Sequence, residues 1–227
     1  MPERSVVSAS ILAADFTRLG SVIQAAEKGG VDWIHVDVMD GHFVPALTMG
    51  PVVVAACRRA TRLPLDVHLM VEKPENLLQA FAEAGADILT VHVEACPQLH
   101  RTLETIRNLG MKAGAALNPG TPVAALEEVV PMLDLILIMT VDPGAYGQPF
   151  IETTLAKIRR ARALREAAGS EAWIEVDGGM TSETAPRAAA AGAEAFVAAS
   201  AIFHHPEGIE AGVAALRRVL QPSPARA

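Results

Sequence analysis

Short apolar runs alternate with longer amphipathic segments eight times along this chain of 227 residues. The apolar runs have the length and composition of buried strands and span residues 6–12, 33–38, 65–70, 88–93, 112–117, 133–141, 173–176 and 195–199. The amphipathic segments are helical in pattern and span residues 16–28, 51–60, 74–84, 99–109, 122–130, 151–168, 182–191 and 207–220. This alternation predicts a parallel α/β sheet that closes into a single (β/α)8 TIM barrel. We expect one domain over residues 1–220 and a disordered tail over residues 221–227.

Charge and composition limit the partners that such a barrel would have. The chain has 19 basic and 26 acidic side chains, a formal net charge of −7, which argues against nucleic acid or an anionic membrane as a general partner. The two cysteines have no metal-binding spacing, and the short charged N-terminus lacks the apolar core of a signal peptide. No apolar run approaches the length of a membrane span. We therefore expect a cytoplasmic protein.

A glycine followed two residues later by an acid recurs at three predicted joints between a helix and the next strand. The three acids are Asp32, Asp87 and Glu194, which follow Gly30, Gly85 and Gly192 respectively. Glycine at such a joint can take the left-handed conformation that ends a helix. These joints lie at the bottom of a barrel, so we interpret the three acids as structural.

Polar residues interrupt the predicted strands near their C-terminal ends, where TIM barrels carry their active sites. Strand side chains alternate, so His35, Asp37 and Met39 share one face of the second strand, and Asp66, His68 and Met70 share one face of the third. Glu175 and Asp177 share a face of the seventh. If these faces point inward, His35, Asp37, His68 and Asp177 converge as a divalent-metal site. A single one of them is better explained as a satisfied core residue, whereas four at equivalent positions favour the metal. His92 and Glu94 are either supporting partners or rim residues.

Glycine-rich loops follow the last three strands and predict a phosphate site, because glycine lets backbone N–H groups approach an anion. The loops after strands seven and eight hold phosphate in many TIM barrels. The candidate residues are Gly144, Ala145, Tyr146, Gly147, Gly178, Gly179, Ala199 and Ser200, and a short helical turn is expected directly after them, at residues 201–203.

These residues resemble the ribulose-phosphate 3-epimerase family over nearly the whole chain. The resemblance is carried by residues 35–45 (HVDVMDGHFVP), 66–71 (DVHLMV), 117–119 (LNP) and 175–179 (EVDGG), with 8–12 (SASIL) and 200–203 (SAIF). It implies one divalent ion, zinc before iron, cobalt or manganese, held by His35, Asp37, His68 and Asp177, with Asp37 and Asp177 as the acid–base pair. It also implies self-association and a substrate site that includes Ser10, His68, Met39, Met70 and Met139, although ordinary core packing is the alternative for the methionines.

The reaction implied by this resemblance is the interconversion of D-ribulose 5-phosphate and D-xylulose 5-phosphate. Two carboxyl groups would exchange a proton at C3 through a metal-stabilised enediolate, with a small ketose phosphate as the substrate. Ala9, the Ala145-Tyr146 pair and Ala199 depart from the family pattern, which bears on the phosphate grip and on substrate length.

Three alternatives remain open at the level of sequence. Residues 140–143 and 148–150 also resemble the allulose-6-phosphate 3-epimerases, which act on a six-carbon substrate. A phosphosugar barrel lyase is disfavoured because Lys28, Lys73, Lys112 and Lys157 lie outside the inward strand faces. A non-catalytic phosphosugar binder would have no use for both aspartates and both histidines.

Overall fold

A computed structural model describes residues 5–221, within which eight parallel strands close into a barrel in chain order, the last strand pairing with the first. This confirms the predicted TIM barrel. Apart from Gln221, the predicted tail lies outside the described residues, and the division into a domain and a tail stays a prediction. The strands are β1 (Val6–Ser10), β2 (Trp33–Met39), β3 (Leu65–Met70), β4 (Ile88–His92), β5 (Lys112–Leu117), β6 (Leu135–Met139), β7 (Trp173–Asp177) and β8 (Ala195–Ala198).

Helices cover the outside of the barrel and follow the predicted segments in seven of the eight units. They are α1 (Leu19–Gly29), α2 (Pro51–Ala60), α3 (Leu78–Ala84), α4 (Leu99–Asn108), α5 (Thr154–Ala167), α6 (Ala185–Ala191), α7 (Ser200–Phe203) and α8 (Ile209–Leu220). The short α7 is the turn expected after the eighth strand. None of the helices within residues 5–221 combines the length and apolarity needed to cross a bilayer.

The predicted helix over residues 122–130 is wrong. Two short 3-10 helices, Val123–Leu126 and Val130–Met132, occupy the connection between β5 and β6. Pro131 has no N–H to donate to a preceding turn, and it disfavours the α conformation at Val130. Pro131 therefore prevents the segment from continuing as a regular α-helix through residue 131.

Two apolar layers hold the barrel together. The outward faces of the strands pack against the helices in one large buried cluster, which includes Val36, Val38 and Val67. A smaller cluster fills the inside and includes Trp33, whose ring meets that of Trp173 edge to face at 5.7 Å between centroids. Because apolar side chains fill the lower interior, the polar residues of the strands are concentrated toward the upper end.

The acids at the helix-to-strand joints accept hydrogen bonds from the start of a neighbouring strand, which fits the structural role expected for them. Asp32 accepts a hydrogen bond from Val7 N at 2.8 Å, Asp87 accepts one from Leu65 N at 2.8 Å, and Glu194 accepts one from Ile174 N at 3.2 Å. The helices before these joints end on left-handed glycines. The structure adds Asp134, which accepts from Ala113 N at 2.9 Å and has no glycine signal before it in the sequence.

Candidate active site

Two imidazoles and two carboxylates from β2, β3 and β7 meet at the upper end of the barrel. His35 Nε2 lies 3.1 Å from Asp37 Oδ1, and His68 Nδ1 lies 3.1 Å from the same oxygen. His68 Nδ1 is also 3.8 Å from Asp177 Oδ2. The register of the sheet causes this convergence, because Asp37 is paired with His68 across β2 and β3. The four potential ligand atoms all lie within 4.8 Å of one another.

A cavity of about 320 Å³ opens above this cluster. Asp37 and Asp177 line it, whereas His35 and His68 are completely buried and lie behind the two carboxylates. Ser10 donates a hydrogen bond to Asp37 Oδ2 at 2.7 Å, which orients that carboxylate toward the cavity. The two aspartates thus offer carboxyl oxygens to any molecule in the cavity.

The candidate substrate residues from the sequence reach this same cavity, with one exception. His68 lies beneath it, while the remaining twelve line its walls: Ser10, Met39, Met70, Met139, Gly144, Ala145, Tyr146, Gly147, Gly178, Gly179, Ala199 and Ser200. The three methionines are at most 3% exposed and form an apolar floor beside the carboxylates. Tyr146 is 50% exposed and stands at the mouth.

Two adjacent glycines after β7 are required by the packing of this cavity. Gly178 and Gly179 both have positive φ, 114° and 66°. A Cβ on Gly178 would lie 2.4 Å from Val141 Cγ2, and one on Gly179 would lie 2.9 Å from Phe150 N. No other residue fits either position without displacing a neighbour, so the backbone here stays exposed to the cavity.

The electrostatics of the cluster separate the two aspartates. Burial would raise the pKa of Asp37, but the adjacent His35 and His68 hold that pKa below its usual value. Burial and the charge of Asp37 together raise the pKa of Asp177 to about 8. At neutral pH one carboxyl group is therefore ionised and the other is protonated, which is the state that an acid–base pair needs.

The histidines differ in the same way. Burial alone would lower the pKa of His35, but the carboxylates of Asp37 and Asp66 outweigh it and raise the pKa well above its usual value. Burial lowers the pKa of His68 to about 4, although a hydrogen bond to Asp37 opposes this. His68 is therefore a neutral imidazole at neutral pH and has a nitrogen lone pair to offer.

The donor set fits a divalent metal ion. Imidazole nitrogen and carboxylate oxygen are donors that zinc and other first-row ions accept. A tetrahedron with bonds of about 2.0–2.2 Å has edges of about 3.3–3.6 Å, and the donor separations of 3.1, 3.1 and 3.8 Å bracket that range. Small side-chain adjustments would bring all four residues onto one ion.

Two buried acids, to which the sequence pattern assigned no role, lie beneath the cluster. Asp66 Oδ2 lies 2.6 Å from His35 Nδ1, and Glu175 contributes a ligand atom within 4.8 Å of both residues. Both acids are fully buried. Strand alternation already placed them on the inward faces, so a search for acids two residues before each ligand would have found them.

A TIM barrel with paired aspartates, two histidines and glycine-rich loops around one cavity belongs to the class of barrel enzymes that act at the C-terminal ends of their strands. The family model described as Ribulose-phosphate 3 epimerase family matches residues 6–203. The chain belongs to this family, and it is an isomerase.

Curated relatives agree with this assignment. The chain is 53% identical to the ribulose-phosphate 3-epimerase of Synechocystis sp. over 99% of this chain and 98% of the relative. It is 55% identical to the Bacillus subtilis ribulose-phosphate 3-epimerase, covering 87% of this chain and 91% of the relative. It is 52% identical to the chloroplastic ribulose-5-phosphate-3-epimerase of Arabidopsis thaliana, over 94% and 77%.

Solved structures of other enzymes share the fold at low sequence identity. The 3-hexulose-6-phosphate synthase of Salmonella typhimurium superposes with a TM-score of 0.71 at 16% identity, covering 95% of this chain and 98% of that one. The 3-keto-L-gulonate-6-phosphate decarboxylase of Vibrio cholerae gives 0.73 at 17% identity, covering 96% and 97%. These similarities support the barrel architecture alone.

Proposed function

We propose that this isomerase interconverts D-ribulose 5-phosphate and D-xylulose 5-phosphate by moving a proton at C3. The observation that carries the proposal is the pair Asp37 and Asp177, which approach one cavity from β2 and β7 beside two buried histidines. Epimerisation inverts a single carbon, so it needs a base on one face and an acid on the other. Membership of the family and the names of its relatives support this reaction.

The opposite protonation states of the two aspartates match this division of labour. In the direction that begins at Asp37, its carboxylate takes the proton from C3, and the carboxylic acid of Asp177 delivers a proton to the opposite face of the same carbon. The reverse reaction exchanges the two roles. Ser10, which donates to Asp37 Oδ2 at 2.7 Å, orients the base. Positioned acid–base catalysis of this kind contributes roughly 10²- to 10⁴-fold to the rate.

We further propose that His35, Asp37, His68 and Asp177 hold one divalent ion, with zinc as the first candidate and iron, cobalt or manganese as alternatives. Such an ion, when bound, would supply a Lewis acid for the C2 carbonyl and for the negative charge of the enediolate. Met39, Met70 and Met139 cover the reacting region with polarisable side chains that carry no exchangeable proton. They exclude water from C3, the carbon whose configuration is inverted.

The phosphate of the substrate would bind the loops at the other end of the cavity. The loop at residues 144–147, the Gly178-Gly179 pair and residues 199–200 all line the cavity. With glycine at 178 and 179, no side chain separates the backbone from the cavity there. The proposed partner is therefore a small ketose phosphate, and we propose that the enzyme acts as a homo-oligomer in the cytoplasm.

The test is an NMR assay in D₂O with ribulose 5-phosphate and allulose 6-phosphate side by side. We expect xylulose 5-phosphate to form with one deuteron at C3, and kcat/KM to be at least about tenfold higher for the five-carbon substrate. Preference for allulose 6-phosphate would make the six-carbon epimerase the correct assignment. No exchange of solvent deuterium into either sugar would leave a barrel lyase or a non-catalytic binder, and the proposal would be wrong.

A further inference from the structure

The second ring nitrogen of His68 contacts another histidine instead of a carboxylate or a backbone carbonyl. His68 Nε2 lies 2.8 Å from His92 Nε2, and both rings are fully buried. The rings are nearly stacked, with centroids 4.9 Å apart and an interplanar angle of 28°. Two ring nitrogens at this distance must share one hydrogen, so one ring donates and the other accepts.

The partner of the other ring nitrogen of His92, Nδ1, determines which of the two rings donates. His92 Nδ1 lies 3.1 Å from Glu94 Oε2, and Glu94 Oε1 accepts from Asn118 N at 2.9 Å and from the Thr121 hydroxyl. Burial would raise the pKa of Glu94, but these donors hold it at about 2, so the carboxylate only accepts. His92 therefore donates from Nδ1 to Glu94, and in that tautomer the Nε2 lone pair faces His68.

The groups Asp37, His68, His92 and Glu94 form one line of hydrogen-bond partners, here called the relay. At its Asp37 end, a metal ion in the proposed site would impose the same direction on the hydrogen bond between the two histidines. A metal ligand needs a lone pair, so His68 Nδ1, which faces Asp37 and Asp177, must then be unprotonated. Its hydrogen has to sit on Nε2, which donates to His92. Every group along the line from Asp37 to Glu94 then has a matching partner, with no donor facing a donor.

A rigid anchor holds the outer end of the relay. Lys157 of α5 is 4% exposed, and its Nζ donates to the carbonyl oxygens of Asn118, Pro119 and Thr121 at 2.5, 2.7 and 2.6 Å. These carbonyls belong to the loop after β5 that holds Glu94. The position of the Glu94 carboxylate is thus set by the barrel and not by a flexible surface loop.

We propose that His92 and Glu94 are positioning residues that keep His68 in the Nε2–H tautomer and present its Nδ1 lone pair to the metal ion. This inference rests on the proposed function, because it requires the metal site. His35 solves the same problem differently, through direct contact between its Nδ1 and the carboxylate of Asp66 at 2.6 Å. The two imidazoles of one site are therefore oriented by different partners: a carboxylate for His35, and a second histidine backed by a carboxylate for His68.

The mutational test compares two replacements of His92. His92→Gln keeps a polar acceptor close to the position of Nε2, whereas His92→Phe keeps a flat ring and removes the acceptor. Supporting partners of metal ligands typically affect affinity by about 10- to 100-fold. We expect His92→Phe to lower the Zn²⁺ affinity of the protein by roughly that factor in chelator competition, and His92→Gln to stay within about threefold of the wild type. Equal affinities in the two variants would overturn the inference.

A spectroscopic measurement on the unmodified protein covers the case in which His92→Phe fails to fold. Long-range ¹H–¹⁵N spectra of the Zn²⁺-loaded protein distinguish protonated from bare ring nitrogens, and His92→Gln assigns the His92 signals. We expect His92 to carry its hydrogen on Nδ1. Protonation at Nε2 would overturn the inference even if zinc binds and the enzyme is active. A wild-type protein that binds no divalent ion would instead show that the proposed metal site itself is wrong.

Discussion

The acids at the two ends of this barrel differ in their hydrogen-bond partners and in their charged neighbours. At the bottom, each joint acid binds a strand N–H, and most of them also pair with an arginine, as Glu194 does with Arg165 at 2.6 Å. At the top, Asp37 and Asp177 crowd two buried histidines and each other. The bottom acids relieve unpaired backbone donors, while the top acids carry shifted pKa values.

This difference separates stability from chemistry along the barrel axis. A carboxylate at the bottom that is satisfied by a strand N–H stabilises the fold. A raised pKa at Asp177 shows that its ionised form is unfavourable in the metal-free protein, which is a cost that a purely structural residue would avoid. The comparison therefore predicts that mutations at the two ends have different effects.

The largest expected effect is the loss of turnover on neutralising either proposed catalytic acid. Asp37→Asn and Asp177→Asn should each lower kcat by about 10³-fold or more, because each removes one of the two proton-transfer groups. Asp177→Asn should leave the Tm of the metal-free protein nearly unchanged at neutral pH, since the raised pKa already keeps Asp177 uncharged there. More than about a tenth of wild-type activity in either variant would break the two-acid scheme.

Removal of the metal should have the next largest effect. Thorough chelation is expected to lower activity by about 100-fold or more, because the Lewis acid is worth several kcal/mol. Addition of Zn²⁺, Fe²⁺, Co²⁺ or Mn²⁺ should restore it, with metal content measured by mass spectrometry. Full activity in protein shown to be metal-free would mean that the side chains at the upper end catalyse the reaction without a metal ion.

The affinity for that metal should depend on pH. The pKa of Asp177 is raised to about 8, so the folded metal-free protein holds a proton there between about pH 4 and pH 8 that the unfolded chain does not hold. The stability contributed by this group falls as pH rises through that window. A metal ion binds the ionised form of Asp177 more tightly than the protonated form that acts as the acid, so Zn²⁺ affinity should rise by roughly 10- to 100-fold from pH 6 to pH 8. Chelator competition at both pH values checks this, and a flat profile would contradict the raised pKa.

At the bottom of the barrel the expected effect is on stability. Glu194→Ala should lower the free energy of unfolding by about 1–3 kcal/mol, because Arg165 and Ile174 N lose a buried acceptor. Glu210→Ala is a matched control, since its pair with Lys28 is exposed and should contribute less than about 1 kcal/mol. Denaturant unfolding measures both, and kcat should be unchanged in both. A loss of kcat in folded Glu194→Ala would contradict the assignment of stability to the bottom of the barrel and catalysis to the top.

The smallest expected effect concerns the mouth of the cavity. Tyr146 lies half exposed at this mouth, and its hydroxyl is a candidate donor to the phosphate of the proposed substrate. Tyr146→Phe should raise KM by about 3- to 10-fold with little change in kcat, as expected for loss of one hydrogen bond to a charged group. Steady-state kinetics with ribulose 5-phosphate decides. An unchanged KM would mean that the backbone of the loop holds the phosphate without this side chain.

The most regular parts of the fold were the easiest to predict. Strand alternation placed His35, Asp37, His68 and Asp177 on inward faces, and their convergence followed from the closure of the barrel. The helix predicted over residues 122–130 was wrong because its apolar spacing suits a helix, while Pro131 has no N–H to donate and disfavours the α conformation at Val130. Asp134 was missed because no glycine marks its joint. The role of His92 could not be decided, since a strand-end histidine fits both a supporting and a rim position.

The sequence by itself determined the barrel, the family and the set of side chains at its upper end, because these depend on periodicity and residue type. Only the tertiary structure decided the different roles of those side chains, because it set their pKa values and their hydrogen-bond partners. It showed which contacts lower the pKa of Asp37 and raise that of Asp177, which histidine nitrogen meets which partner, and that His68 lies beneath the cavity and not on its wall. The physical reason is that pKa values and hydrogen-bond direction depend on burial and on contacts between strands that are distant in the chain.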